Sequence, residues 1–85
     1  MIEYTVQVDE NATRWYLNGK EHREDGPAIE YANGSTMWYF NGELHREDGP
    51  AYVDANGSKA WWINGEELSE DEFNARNTTK ELTVG

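Results

Sequence analysis

Short runs of β-branched and aromatic residues alternate with polar ones along this chain, and turn residues close each run. Thr13-Arg14-Trp15-Tyr16-Leu17, Thr36-Met37-Trp38-Tyr39-Phe40 and Lys59-Ala60-Trp61-Trp62-Ile63 all end on Asn-Gly. Asn-Gly between such runs predicts a two-residue type I′ hairpin, because both central residues must take positive φ. Two of the runs are also preceded by Asn-Gly, at Asn33-Gly34 and Asn56-Gly57, while the first has Glu10-Asn11 in that place. Counting outward from these earlier turns sets Val6 opposite Trp15, Ile29 opposite Trp38 and Tyr52 opposite Trp61. The later turns set His22 opposite Trp15, His45 opposite Trp38 and Leu68 opposite Trp61.

The pattern is periodic. Trp15, Trp38 and Trp61 are 23 residues apart, and the chain divides into units 4–26, 27–49 and 50–72 of one domain spanning 1–85. The period predicts a mainly β fold, an antiparallel β-meander of three stacked hairpin units. Alternation within strands assigns Trp15, Trp38 and Trp61, with Ile29, Tyr52 and Leu68, to one apolar face as the repeat core, and Tyr16, Tyr39 and Trp62 to the other. A sheet this narrow leaves one aromatic row partly exposed, and exposed Tyr and Trp are common in binding surfaces.

Arg23-Glu24-Asp25-Gly26-Pro27 and Arg46-Glu47-Asp48-Gly49-Pro50 link the units. Asp-Gly-Pro reads as a turn in which Gly takes a backbone conformation closed to other residues and Pro opens the next strand. Each Arg is expected to pair with a carboxylate of a neighbouring unit, and each His to hydrogen-bond across strands. After the third unit, Ser69 and Glu72 form a capping-box pattern with Leu68 and Phe73 as a hydrophobic staple. A capping helix is expected over about 70–76, stopped near Asn77, with a tail at 78–85 that adds a strand through Leu82-Thr83-Val84 or frays.

The Trp-Tyr-x-Asn-Gly segments at 15–19 and 38–42, the His-Arg-Glu-Asp-Gly-Pro-Ala links and the period resemble the divergent MORN-like repeats of small phage and large-virus proteins. The resemblance covers about residues 4–72 and implies a single-layer sheet of stacked hairpins. The Tyr-x-Gly and His-Gly-x-Gly patterns of ordinary MORN repeats are absent, and with them the grounds for expecting membrane tethering. The resemblance supplies no catalytic residues.

Charge then narrows the function. Seventeen acidic residues against seven basic ones give a net charge of −10, which repels phosphate and anionic lipid, so neither direct nucleic-acid binding nor membrane binding is expected. There is no cysteine, so neither disulfides nor thiolate metal sites contribute. The start Met-Ile-Glu-Tyr lacks the basic and apolar regions of a signal peptide, and a cytoplasmic location is expected, the host cytoplasm if the protein is viral. His-Arg-Glu-Asp, at 22–25 and again at 45–48, places imidazole beside carboxylates as a base or metal ligand would be placed. The third unit puts Leu68 and Ser69 at those positions, and a structural role explains both versions. No catalytic residue, metal or cofactor is assigned.

The sequence therefore reads as a non-enzymatic, acidic protein-interaction module. Its candidate binding residues are the aromatic row Tyr16, Tyr39 and Trp62, surrounded by the acidic links Glu24, Asp25, Glu47 and Asp48, and its expected partner is a protein with a basic surface. In a phage, inhibition of a host defence factor is the natural use. The alternatives are a sugar or small-ligand binder that stacks on the aromatic row, and a structural protein that self-associates into homo-oligomers.

Overall fold

The computed structural model describes residues 3–82, with side chains described as far as residue 76. The chain is mainly β, with an eight-stranded antiparallel sheet, a separate two-stranded pair and a C-terminal helix. Strands β1 (Thr5–Val8), β2 (Ala12–Leu17) and β3 (Lys20–Glu21) are followed by β4 (Ile29–Tyr31), β5 (Thr36–Met37), β6 (Tyr39–Phe40) and β7 (Glu43–Leu44). Strands β8 (Tyr52–Val53), β9 (Lys59–Ile63) and β10 (Glu66–Leu68) complete the sheet, and α1 (Glu70–Leu82) ends the described chain. The hydrogen-bonded order is β1-β2-β4-β5-β8-β9-β10, with β3 added to β2 and β6 paired with β7. The molecule measures 45 × 34 × 18 Å, and its thin dimension is that of a single sheet with side chains on both faces. Its radius of gyration of 14.1 Å exceeds the roughly 12 Å of a globular domain of this length. No helix among the described residues is long and apolar enough to cross a membrane.

The later turns adopt the expected register. Asn18, Asn41 and Asn64 have φ of 54°, 52° and 50°, each followed by a glycine of positive φ. His22 N–H donates to Trp15 O, His45 N–H donates to Trp38 O, and Leu68 pairs with Trp61.

The earlier turns do so only in the first unit, where Val6 lies opposite Trp15. Tyr31 N–H donates to Ser35 O (2.8 Å) and Asp54 N–H to Ser58 O (2.9 Å), so Ala32–Gly34 and Ala55–Gly57 are three-residue loops. Only their glycines, Gly34 and Gly57, take positive φ, as in a type I turn closed by a left-handed residue. Asn33 Oδ1 accepts Ser35 N–H, and Asp54 Oδ1 accepts the N–H groups of Asn56 and Ser58. The added residue shifts the pairing by one. Ile29 lies opposite Met37 rather than Trp38, and Tyr52 opposite Ala60 rather than Trp61. A one-residue shift moves a side chain to the other face, so Ile29 and Tyr52 leave the Trp face on which the sequence placed them.

Trp15 and Trp38 stand where the chain passes from one hairpin to the next. Their N–H groups donate to Ala28 O (2.8 Å) and Ala51 O (2.7 Å) of the following unit, while their carbonyls serve the His of their own. Both alanines are wholly buried. The expected column of buried indoles is not formed, because a single layer cannot cover large rings on both sides. The three Trp are half-buried, and the buried apolar residues are Ala12, Ala28, Ile29, Ala51 and Phe73.

At the C-terminal end Ser69 N–H donates to Glu72 Oε1 (2.8 Å) and Glu72 N–H to Ser69 Oγ (3.1 Å). This reciprocal cap starts α1, and buried Phe73 fastens the helix, which packs on β9 and β10. The helix continues past Asn77 to Leu82, since Asn77 to Leu82 contains neither Gly nor Pro to end it. Leu82 is therefore helical rather than extended, and the rest of the proposed tail strand, 83–84, lies outside the described residues.

Candidate functional site

The two faces of the sheet carry different chemistry. On the face of Trp15, Trp38 and Phe40, each link folds an arginine onto the indole eight residues before it. Arg23 Cζ lies 4.0 Å from the Trp15 ring centroid and Arg46 Cζ 3.8 Å from that of Trp38. These arginines also donate to Pro27 O and Pro50 O (both 3.2 Å). Their ion pairs are chiefly local, with Asp25 (3.5 Å) and Asp48 (2.8 Å) of the same link; Arg23 alone also reaches a carboxylate of the next unit, Glu30 at 3.7 Å. The Arg46 hydrogen bond holds the Asp48 carboxyl below the usual aspartate range.

Gly26 and Gly49 are glycines for a reason other than the expected backbone conformation, since neither has positive φ. A Cβ there would lie 2.9 Å from Arg23 Cζ or 3.1 Å from Arg46 Cζ. Glycine leaves room for the guanidinium between link and indole.

The histidines are struts between units. Asn41 N–H donates to His22 Nδ1 (2.9 Å) and Asn64 N–H to His45 Nδ1 (3.0 Å). An Nδ1 that accepts carries the lone pair, which assigns the ring proton to Nε2. Nε2 faces Glu24 Oε2 in one link and Glu47 Oε2 in the other, each at 3.3 Å. Around each strut two backbone bonds join the second hairpins of successive units: Arg23 N–H to Tyr39 O with Gly42 N–H to Glu21 O, and Arg46 N–H to Trp62 O with Gly65 N–H to Leu44 O. With both nitrogens engaged and His22 only 2 % exposed, these rings are placed to join units rather than to take a substrate proton. Among the described residues no cluster of His, Asp and Glu is arranged to hold a metal.

A groove of about 420 Å³ runs between the two links, lined by Glu24, Asp25, Glu47 and Asp48 with Trp38 and Phe40. The four candidate acidic residues are thus brought together, each beside an Arg or His.

On the opposite face alternation collects Ile29, Tyr31, Met37, Tyr52, Ala60 and Trp62, in a register fixed by the β4–β5, β5–β8 and β8–β9 pairs. A more apolar groove of about 540 Å³ opens there, with Tyr31, Met37, Leu44, Tyr52 and Trp62 in its wall. Of the candidate aromatic row, Trp62 lines this groove. Tyr39 lies opposite Leu44 of the wall, and Tyr16 lies farther along, opposite Glu21. Burial, then the nearby Glu21 and Tyr31, raises the Tyr39 hydroxyl above its usual value of 10.0.

The structure therefore separates what the sequence reading combined. The acidic links do not surround the Tyr16, Tyr39 and Trp62 row; they line the other face. Acidic residues stand beside the aromatic row at Glu21, opposite Tyr16, and Glu67, opposite Trp62, and Asp9 is on the same face, paired to Arg14 at 3.0 Å. Sequence reasoning missed Tyr31 because the register shift brings it to this face; Met37 and Leu44 fall here by the expected alternation and by pairing with Tyr39, and were not singled out. No protein-family model, curated protein or solved structure matches the chain.

Proposed function

We propose that this chain is a non-enzymatic binding module whose Tyr/Trp face seats an apolar side chain from a protein partner with a basic surface. The observation that carries this reading is the open groove of about 540 Å³ walled by Tyr31, Met37, Leu44, Tyr52 and Trp62. Large aromatics around an apolar pocket are the side chains on which binding energy concentrates. A net charge of −10, with Glu21 and Glu67 on the same face, favours a cationic rim on the partner and speeds encounter at low ionic strength. The same charge disfavours a second copy of the chain as the occupant. Together with the resemblance to small viral repeat proteins, it makes a host factor that uses a basic surface to meet nucleic acid the natural target.

The test is affinity capture with the wild-type chain and with Trp62→Ser, at low and high salt, after circular dichroism has shown both to be folded. The expected result is one basic protein retained by the wild type, weakened by salt and lost with Trp62→Ser. Equal retention by both chains would overturn the reading. Quenching of Trp fluorescence by glycans, without protein capture, would replace it with the sugar-binding alternative.

A further inference from the structure

A second surface lies at the edge of the sheet. Strand β1 ends the hydrogen-bonded order, and its backbone pattern follows from two contacts. Asp9 N–H donates to Ala12 O, whereas Trp15 N–H turns away from β1 to Ala28 O. Hydrogen-bonded and non-hydrogen-bonded pairs alternate along an antiparallel ladder. The pairs Thr5–Tyr16 and Gln7–Arg14 are therefore of the bonded kind, and Val6–Trp15 and Val8–Thr13 of the other. Val6 and Val8 thus direct their N–H and C=O groups outward, where no described residue pairs with them. Their side chains are 44 % and 70 % exposed.

Natural sheets protect such edges with charge, proline, bulges or a covering element. The far edge is protected, since β10 carries Glu66 and Glu67 and runs directly into α1. Thr5-Val6-Gln7-Val8 has none of these devices: it is uncharged, contains no proline and pairs in unbroken register with β2. At its ends stand exposed Glu3 and Glu10.

We infer that β1 is a strand-addition site that takes an extended, β-branched segment with basic flanks from a partner protein. The incoming strand would pair with the backbone of Val6 and Val8, cover their side chains on the Trp face, and set its cationic ends against Glu3 and Glu10. A second copy of β1 supplies the same backbone groups but carries acidic ends, so charge selects against it. This site lies apart from the Tyr/Trp groove, and either can fail without the other.

The probe is the synthetic peptide Lys-Lys-Thr-Val-Thr-Val-Thr-Lys-Lys, titrated into the full chain labelled with ¹⁵N. The expected result is saturable amide shifts centred on Val6 and Val8, about tenfold slower hydrogen exchange at those two amides, and weaker binding at high salt. Val6→Pro removes only an outward donor and leaves the β2 ladder intact; it should weaken binding about tenfold. Val8→Lys, at the more exposed position, repels the peptide with no backbone change and should weaken it similarly. Shifts centred on the Tyr/Trp groove, unchanged binding by either folded variant, or no saturable shift would overturn the inference. So would Val6 and Val8 signals that respond to protein concentration alone, which would assign the edge to a second copy.

Discussion

At the scale of single residues, the link face is held by one three-part contact used twice: an arginine on an indole, with a glycine that makes room for it. A partly exposed cation–π pair contributes about 0.5–1 kcal/mol. Arg46→Ala should lose about that much in urea unfolding followed by Trp fluorescence. Gly49→Ala should lose a similar amount, because its methyl would displace the guanidinium from Trp38. The double variant should cost little more than either alone, since both remove the same stack; additive losses would show that the glycine acts independently. This contact was legible in principle. Arginine follows Trp by eight residues at 15/23 and 38/46, and Ser69 breaks the spacing where Gly also disappears. What the sequence did not show is that the guanidinium folds back on its own unit's indole, because pairing with a carboxylate explains Arg in a link equally well. Carboxylates paired with arginine respond to acid. The Asp9 carboxyl accepts N–H bonds from Asn11 and Ala12 and lies beside Arg14, and these contacts lower it below 3.8, as Arg46 lowers Asp48. A depressed carboxyl contributes stability above its unfolded value and loses it as pH falls through the folded one. Denaturation midpoints should therefore fall as pH drops below about 3.8, and fall less steeply for Asp9→Asn; equal slopes would contradict this.

At the scale of elements, the two kinds of Asn-Gly turn show how far the pattern carries. Asn18-Gly19, Asn41-Gly42 and Asn64-Gly65 form the expected two-residue turns, and the pairing on either side of them follows by counting. Asn33-Gly34 and Asn56-Gly57 are the same dipeptide in a loop longer by one. The difference lies in side-chain bonds of Asn33 and Asp54, which a dipeptide rule does not weigh. That single residue decided which face received Ile29 and Tyr52, and with them the shape of the candidate groove. The struts between elements can be ranked. His22→Leu removes the acceptor from the partly buried Asn41 N–H and should cost about 1–3 kcal/mol. His45→Leu should cost less, because the Asn64 N–H is exposed and water can replace the ring. The opposite order in urea unfolding would show that the struts do not set the junctions. At the C-terminal end Ser69→Ala should cost about 1 kcal/mol through loss of the cap. Phe73→Ala should cost about 3–5 kcal/mol, enough to detach α1 from the sheet or to unfold so small a domain, as helical circular dichroism would report.

At the scale of the whole molecule, a single layer with two unlike faces explains why the aromatic residues divide as they do. On the Trp face the indoles of Trp15 and Trp38 are stacked by arginines of their own units, with histidines and carboxylates beside them. On the Tyr/Trp face no arginine is stacked on an indole among the described residues, and its groove and acidic neighbours are the features on which the proposed partner binding rests. The negative charge was plain from composition, but its placement was not: the conspicuous Glu-Asp links proved to serve their own Arg and His, while Glu21 and Glu67, unremarked in the sequence, stand on the aromatic face. The most direct test uses a photo-activated cross-linking side chain at either of two positions, Trp62 on the groove face and exposed Lys59 on the Trp face, in otherwise identical chains incubated with cell lysate. Adducts to a basic protein should form from position 62 and not from position 59. Adducts from position 59 alone, or equally from both, would contradict the assignment of the Tyr/Trp face as the partner-binding surface.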